Sequence, residues 1–168
     1  MGKAFFLDRD GVINKNAPEH DYIKDWDSFV ILEGVLDAIQ FIKQYGYLVI
    51  VITNQRGISK GVVSRDVVNQ IHDGFNKILL KSRGVQVDAF YLCPHDYSDN
   101  CNCRKPRVGM VLEAVSKFNI NLSSSWLIGD SDTDIELAKS LDINHRKMER
   151  DGNLYKIVKN IFDHMYDI

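Results

Sequence analysis

The sequence has no apolar run long enough to cross a membrane, which takes roughly 18 or more consecutive residues. Its opening residues, Met1-Gly2-Lys3-Ala4, lead straight into a strand pattern and lack the three-part layout of a secretory signal. A myristoylation signal is also missing, because Phe6 stands where Ser or Thr is required. Basic charge is not in excess. The 21 Lys and Arg face 23 Asp and Glu, for a net charge of -2, which argues against a broad nucleic-acid-binding face. Internal repeats, low-complexity tracts and linkers are absent, so one domain over residues 1–168 is expected. Cysteine is scarce. Cys93, Cys101 and Cys103 are the only three, and an odd, clustered set favours metal over disulfides. These absences lead to the expectation of a cytoplasmic protein without membrane or nucleic-acid partners, a monomer or small homo-oligomer.

What is present is ordinary for a globular domain: 45% hydrophobic and 26% charged residues. Residues 4–7 read as a short buried strand, and residues 47–53 as the strongest strand, apolar on both faces. Residues 89–92 and 125–128 complete four clear strands, and a fifth is expected near residues 145–148. Helical spacing begins at Glu33 and stops at Gly46. It returns over residues 65–79 with Ser64 as N-cap, over 110–118, over 135–141 and from Leu154 onward. The polar stretch from Gly11 to Phe29 is long for a loop and reads as a flap. Alternating strands and helices predict an α/β fold, Rossmann-like, in three layers around a central parallel sheet, with no large cap domain. In such folds ligands gather at the carboxyl ends of the strands.

Those ends carry reactive side chains. Asp8 and Asp10 follow the first strand and point to the same face of an extended chain. Crowded carboxylates need a cation or a shared proton. Thr53-Asn54-Gln55 follows the second strand, Arg104-Lys105-Pro106 the third, and Gly129-Asp130 through Asp134 the fourth. Carboxylates that hold Mg²⁺ beside cations that offset phosphoryl charge suit metal-assisted phosphoryl transfer. Asp132 reads as a helix-capping residue. His20, His72, His145 and His164 read as solvated.

Asp8-Arg9-Asp10-Gly11-Val12-Ile13, Thr53, Lys105 and Gly129-Asp130 with Asp134 resemble, in order, the four motifs of the haloacid dehalogenase superfamily of phosphatases. The resemblance implies that Asp8 attacks phosphorus and that Asp10 serves as acid and base. It also implies that Thr53 and Lys105 bind the phosphoryl group. Mg²⁺ would be held by Asp8, the Asp10 backbone carbonyl and Asp130, with Asp134 in support.

Cys93, His95, Cys101 and Cys103 lie within eleven residues and suit a closed tetrahedral zinc site. The run Cys93-Pro94-His95 to Cys101-Asn102-Cys103-Arg104-Lys105-Pro106 is similar to the zinc loop of heptose-bisphosphate and histidinol-phosphate phosphatases. There the zinc is structural and shapes the loop that presents Arg104 and Lys105 to substrate, and Arg104 would meet a phosphate. The stretch Asn14 with Thr53-Asn54-Gln55 and Gly57-Ile58 is more similar to the heptose-bisphosphate group, whereas the short cysteine loop is nearer the histidinol-phosphate type. The expected substrate is thus a small-molecule phosphate ester, D-glycero-D-manno-heptose 1,7-bisphosphate cleaved at C7. Histidinol phosphate is the alternative, and a polynucleotide 3′-phosphate a more distant one. A heptose substrate would imply envelope polysaccharide or nucleotide-sugar synthesis. Arg104, Arg56 and Lys60 are the expected rim cations.

Overall fold

The structure is a computed structural model that describes residues 1–166. Positions 167 and 168 of the expected domain lie outside the described residues. Five strands form one sheet: β1 (Ala4–Leu7), β2 (Leu48–Asn54), β3 (Ala89–Cys93), β4 (Trp126–Gly129) and β5 (Asn144–Lys147). Their order is β3-β2-β1-β4-β5, and every neighbouring pair is parallel. Between successive strands run α1 (Val35–Gln44), α2 (Arg65–Arg83), α3 (Gly109–Phe118) and α4 (Asp132–Ser140), and α5 (Leu154–Tyr166) follows β5. Among the described residues, no helix is long and apolar enough to cross a membrane.

The two-residue period of the strands divides the core into two layers. Phe5, Leu7, Val49, Val51 and Ile128 point to one face and pack with Val35, Ile39, Phe75 and Phe162. Ala4, Phe6, Ile50, Ile52 and Leu127 point to the other and pack with Met110, Ala114, Leu137 and Ala138. Both faces of β1 are fully covered, so it lies at the centre of the sheet. The register Phe5↔Val49 and Phe5↔Trp126 aligns the strands so that β1, β2 and β4 end side by side. Aromatic edges lock α5 to this layer: Phe162 lies 5.8 Å from Phe5 and 5.3 Å from Phe41, centroid to centroid.

The structure corrects three sequence expectations. The stretch Gly11 to Phe29 is not a free flap. Ile23 and Phe29 are buried in the core, and Phe29 meets Phe75 at 5.9 Å. Helix α4 begins three residues earlier than its apolar stripe, because Ser131 is the N-cap and closes a capping box with Asp134. Asp132 therefore does not cap the helix; it is exposed and pairs with Lys147 at 2.6 Å. Finally, His72 is buried, 3% exposed, and stacks on Phe90 at 4.3 Å. A single histidine in a helical stripe carries no sign of burial in its own letters; its neighbours in space decide.

Burial, aided by the positive charge of Arg9, pulls the His72 imidazole from 6.5 down to about 3. The folded state thus binds this proton less readily than the unfolded chain. Stability from this residue is complete above the unfolded value and is lost as pH falls from there toward the folded one. Between neutral pH and about pH 5 the loss is about 2 kcal/mol. Urea denaturation of His72→Phe is expected to show that much less destabilisation over this interval than the parent. An equal pH dependence of the two proteins would rule the account out.

Candidate active site

The site grows from the ends of the three central strands. Asp8 follows β1, Thr53 ends β2, and Asp130 follows β4. Lys105 arrives from the loop between β3 and α3 and is 4% exposed. Its ammonium lies 2.7 Å from Asp8 Oδ1 and 2.7 Å from Asp134 Oδ1, and donates to the Ile52 carbonyl at 3.1 Å. Burial disfavours its charge, but Asp8 and Asp134 together hold the Lys105 pKa above its ordinary value. Asn54 secures the approach of this lysine. It accepts from the Lys105 N–H at 3.0 Å and donates to the Lys105 carbonyl at 3.3 Å.

The two leading carboxylates have opposite surroundings. Burial pushes Asp8 up to about 7, partly offset by Lys105 and reinforced by Asp134 and Asp10. Asp10 is also desolvated, yet it is held below the usual carboxylate range. Arg9 donates to it at 2.8 and 3.0 Å, Asn14 at 2.9 Å and Gln55 at 2.8 Å. Gln55 also donates to Thr53 Oγ1 at 2.8 Å. These three partners were not foreseen as a set. Arg9 and Gln55 carry no strand or helix period, and only the folded loop turns them onto one carboxylate.

Asp8, Asp130 and Asp134 bring one carboxylate oxygen each within 4.8 Å of the others. Asp134 is already occupied: Oδ1 meets Lys105, and Oδ2 accepts from the Ser131 N–H at 3.2 Å and its hydroxyl at 2.5 Å. Among the described residues, Asp130 accepts one hydrogen bond, from Asn16 Nδ2 at 3.3 Å, and feels the charges of Lys105 and Arg150. Burial and the nearby Asp134 charge raise the Asp130 pKa. Two hard oxygen donors that repel each other in a half-buried cleft fit a Mg²⁺ ion. Gly11 makes room for this pair. It has φ +88, and a Cβ there would run into the Asp130 carboxylate and Asn16 Nδ2.

Asp8, Asp10, Thr53, Asn54, Lys105 and Asp130 line one cavity of about 380 Å³, together with Asn16 and Arg150. Over residues 3–151 the sequence matches the family described as polynucleotide kinase 3 phosphatase. The chain belongs to that family, within the haloacid dehalogenase superfamily of phosphatases.

This phosphatase is 37% identical over 158 residues to D-glycero-beta-D-manno-heptose-1,7-bisphosphate 7-phosphatase of Pasteurella multocida (strain Pm70), covering 90% of this chain and 84% of that one. It is 39% identical over 134 residues to the protein of the same name from Neisseria meningitidis serogroup A, covering 80% and 70%. A crystal structure of D,D-heptose 1,7-bisphosphate phosphatase from B. bronchiseptica, complexed with magnesium and phosphate, superposes with a TM-score of 0.82 at 28% identity. That superposition covers 96% of this chain and 99% of the other.

The phosphatase brings Cys93, His95, Cys101 and Cys103 together as the spacing predicted. Cys93 Sγ lies 3.6 Å from His95 Nδ1 and 3.6 Å from Cys101 Sγ, and His95 Nδ1 lies 3.2 Å from Cys103 Sγ. Ligand atoms on a tetrahedral zinc ion stand about 3.5 to 3.8 Å apart, given bonds of about 2.0 to 2.3 Å. The four donors therefore fit zinc. Burial pulls the Cys101 thiol up, but the Arg104 N–H and the neighbouring thiols hold it down at about 6, which favours a thiolate ligand. Arg107 braces the loop from outside by donating to the Cys101 carbonyl.

Arg104 does not line the cavity that holds Asp8. Its guanidinium lies 4.1 Å from the Tyr97 ring and donates to the His95 carbonyl at 3.3 Å. It lines an adjoining hollow on the zinc-loop side, reached past Lys105 and Thr133. Arg56, expected as a free rim cation, is engaged by Asp96 at 2.5 and 3.1 Å. Ser131 places no charge at the site; it caps α4 instead.

Purified protein is expected to contain about one zinc ion per chain by elemental analysis, because all four donors converge on one point. Cys101→Ser is expected to lose that zinc and to melt at a lower temperature than the parent. Full zinc content in the variant would contradict the four-donor site.

Proposed function

We propose that this phosphatase hydrolyses D-glycero-D-manno-heptose 1,7-bisphosphate at C7 through a phosphoryl group carried on Asp8. The observation that carries the chemistry is the Lys105 ammonium shared between Asp8 and Asp134, 2.7 Å from each. It partly offsets the cost of charge on a buried carboxylate at the floor of a cleft lined by Thr53, Asn54 and Lys105. The relatives named above support the substrate, since both have that bisphosphate in their names.

In the proposed mechanism an Asp8 oxygen forms a bond to phosphorus while the ester P–O bond breaks. Asp8 Oδ1 is held by Lys105 and by the Arg9 N–H at 2.7 Å, which orients the carboxylate toward the cavity. The departing sugar oxygen takes a proton from Asp10. In the second step Asp10 removes a proton from water, whose oxygen attacks phosphorus and frees Asp8 and inorganic phosphate. The donor set from Arg9, Asn14 and Gln55 favours the charged Asp10 that this second step needs. To carry a proton in the first step, Asp10 has to leave part of that set. Thr53, Asn54 and Lys105 would receive the phosphoryl oxygens. A Mg²⁺ ion, held by Asp8, the Asp10 carbonyl and Asp130, would supply charge neutralisation at the phosphoryl group. Arg104 is the proposed further phosphate contact, from the zinc-loop side. Zinc orders that loop and takes no part in the chemistry. Clustered free thiols suit a cytoplasmic, reducing location, and the protein would work as a monomer or small homo-oligomer.

A second reading, a polynucleotide 3′-phosphatase, has an observation of its own: the description of the matched family, polynucleotide kinase 3 phosphatase. The net charge of -2 weighs against it, because phosphate backbones demand basic surface. Rates on heptose 1,7-bisphosphate, histidinol phosphate and a 3′-phosphorylated oligonucleotide separate the readings. The heptose ester is expected to lead by at least about tenfold in kcat/KM, which is a difference of about 1.4 kcal/mol in transition-state binding. A lead by the oligonucleotide or by histidinol phosphate would replace the proposed substrate. Asp8→Asn is expected to lower kcat by about a thousandfold or more while the fold is retained. Undiminished phosphate release from this variant would refute the covalent route.

A further inference from the structure

The cavity above Asp8 opens sideways into a second one of about 250 Å³, walled by Asn16 to Ile23 on one side and by Arg9 and Gln55 on the other. Asp10, Asn16, Asn54 and Arg150 border both. Of the acidic groups on the outer wall, Asp21 pairs with Lys24 at 2.6 Å, and Glu19 stands in solvent beside His20.

Arg150 differs from the other cations that line these two cavities, and Arg104, also without an ion pair among the described residues, lies in the separate hollow on the zinc-loop side. Lys105 is shared by two carboxylates, Arg9 is spent on Asp10, and Arg56 on Asp96. Arg150 is exposed and has no ion pair among the described residues. Its backbone, however, is anchored. Asp151 N–H donates to the Gly11 carbonyl at 3.0 Å, and Asp151 Oδ1 accepts from the Asn16 N–H at 2.9 Å. Met148 N–H donates to the Gly129 carbonyl at 2.8 Å, which ties the same turn to the end of β4. The turn is so tight that a Cβ on Gly152 would press on the Glu149 carbonyl at 2.8 Å. A long, unpaired guanidinium is thus carried on a fixed base to the junction of two cavities.

Charge explains what it waits for. Asp8, Asp10, Asp130 and Asp134 are balanced by Arg9, Lys105 and one divalent cation. Arg150 acts on the Asp130 charge from a distance without pairing with it, which leaves its guanidinium open to a second ligand. We infer that Arg150 binds the second, non-reacting phosphate of a bisphosphate substrate, seated in the flap-side cavity, and so sets the preference for bisphosphates over monophosphates. A planar guanidinium suits this task because it donates two parallel hydrogen bonds to one phosphate. The inference rests on the proposed reading of this site as a sugar bisphosphate phosphatase.

The test uses two substrate pairs: heptose 1,7-bisphosphate with heptose 7-phosphate, and fructose 1,6-bisphosphate with fructose 6-phosphate. For each pair the readout is the ratio of kcat/KM, bisphosphate over monophosphate, in the intact zinc-loaded protein with Mg²⁺. In Arg150→Ala the ratio is expected to fall by about 10- to 100-fold in the pair the parent prefers, as for the loss of a charged bidentate contact. Arg150→Lys is expected to keep part of it. An unchanged ratio in Arg150→Ala, or equal loss on both members of a pair, overturns the inference, as does a parent with no bisphosphate preference in either pair. A parent that prefers only the fructose pair, with the preference lost in Arg150→Ala, upholds the role of Arg150 while removing the heptose substrate. A heptose preference that survives Arg150→Ala does the reverse.

Discussion

The ammonium of Lys105, held between Asp8 and Asp134, is the contact on which the site depends. Three charged groups are withdrawn from water at one point, and none could stay ionised there alone. Asp134 is fully buried and also closes the capping box of α4, so the start of that helix and the charge at the strand ends are one arrangement. Asn54 clasps the backbone of Lys105 from β2. Through these links a residue from the β3–α3 loop, two strand ends and one helix start share a single geometry.

The same physics separates the two carboxylates after β1. Asp8 is buried against another acid and is pushed toward neutrality. Asp10, two residues on, faces four nitrogen donors and is held as an anion. Spacing in sequence brings both to the cavity, but the neighbours in space decide what each can do. Under the proposed mechanism, Lys105 is the cation beside the nucleophile Asp8, and Arg9, Asn14 and Gln55 are the exchangeable donors around the acid and base Asp10.

The zinc loop and the turn at Asp151 stand on opposite sides of this centre. One is a polar loop with little core of its own, for which four soft donors provide the order that packing does not. The other is tied by backbone hydrogen bonds to Gly11 and to the end of β4. Both present cations on anchored backbone at the edge of the cleft.

Much of this was legible in the letters. Short continuous apolar runs marked β1, β2, β3 and β4, and a helical stripe marked the start of α5 at Leu154. Asp8, Thr53, Lys105 and Asp130 were visible because each follows an apolar run, and Cys93, His95, Cys101 and Cys103 because metal donors cluster locally. The anchoring of the expected flap was not visible, because Ile23 and Phe29 are isolated apolar letters in a polar stretch. His72 was misread for the same reason: its burial comes from Phe90, on another element. Asp134 with Lys105, Asn16 with Asp130 and Asp151 with Gly11 were equally invisible. Sequence period reports which side of one segment is apolar, and it acts within a few residues. Which charge meets which is decided by the superposition of distant strand ends, where water is excluded and Coulomb interactions act at full strength. The sequence alone therefore determined the layers and the polar residues gathered at the strand ends, and the tertiary structure decided their partners and their protonation.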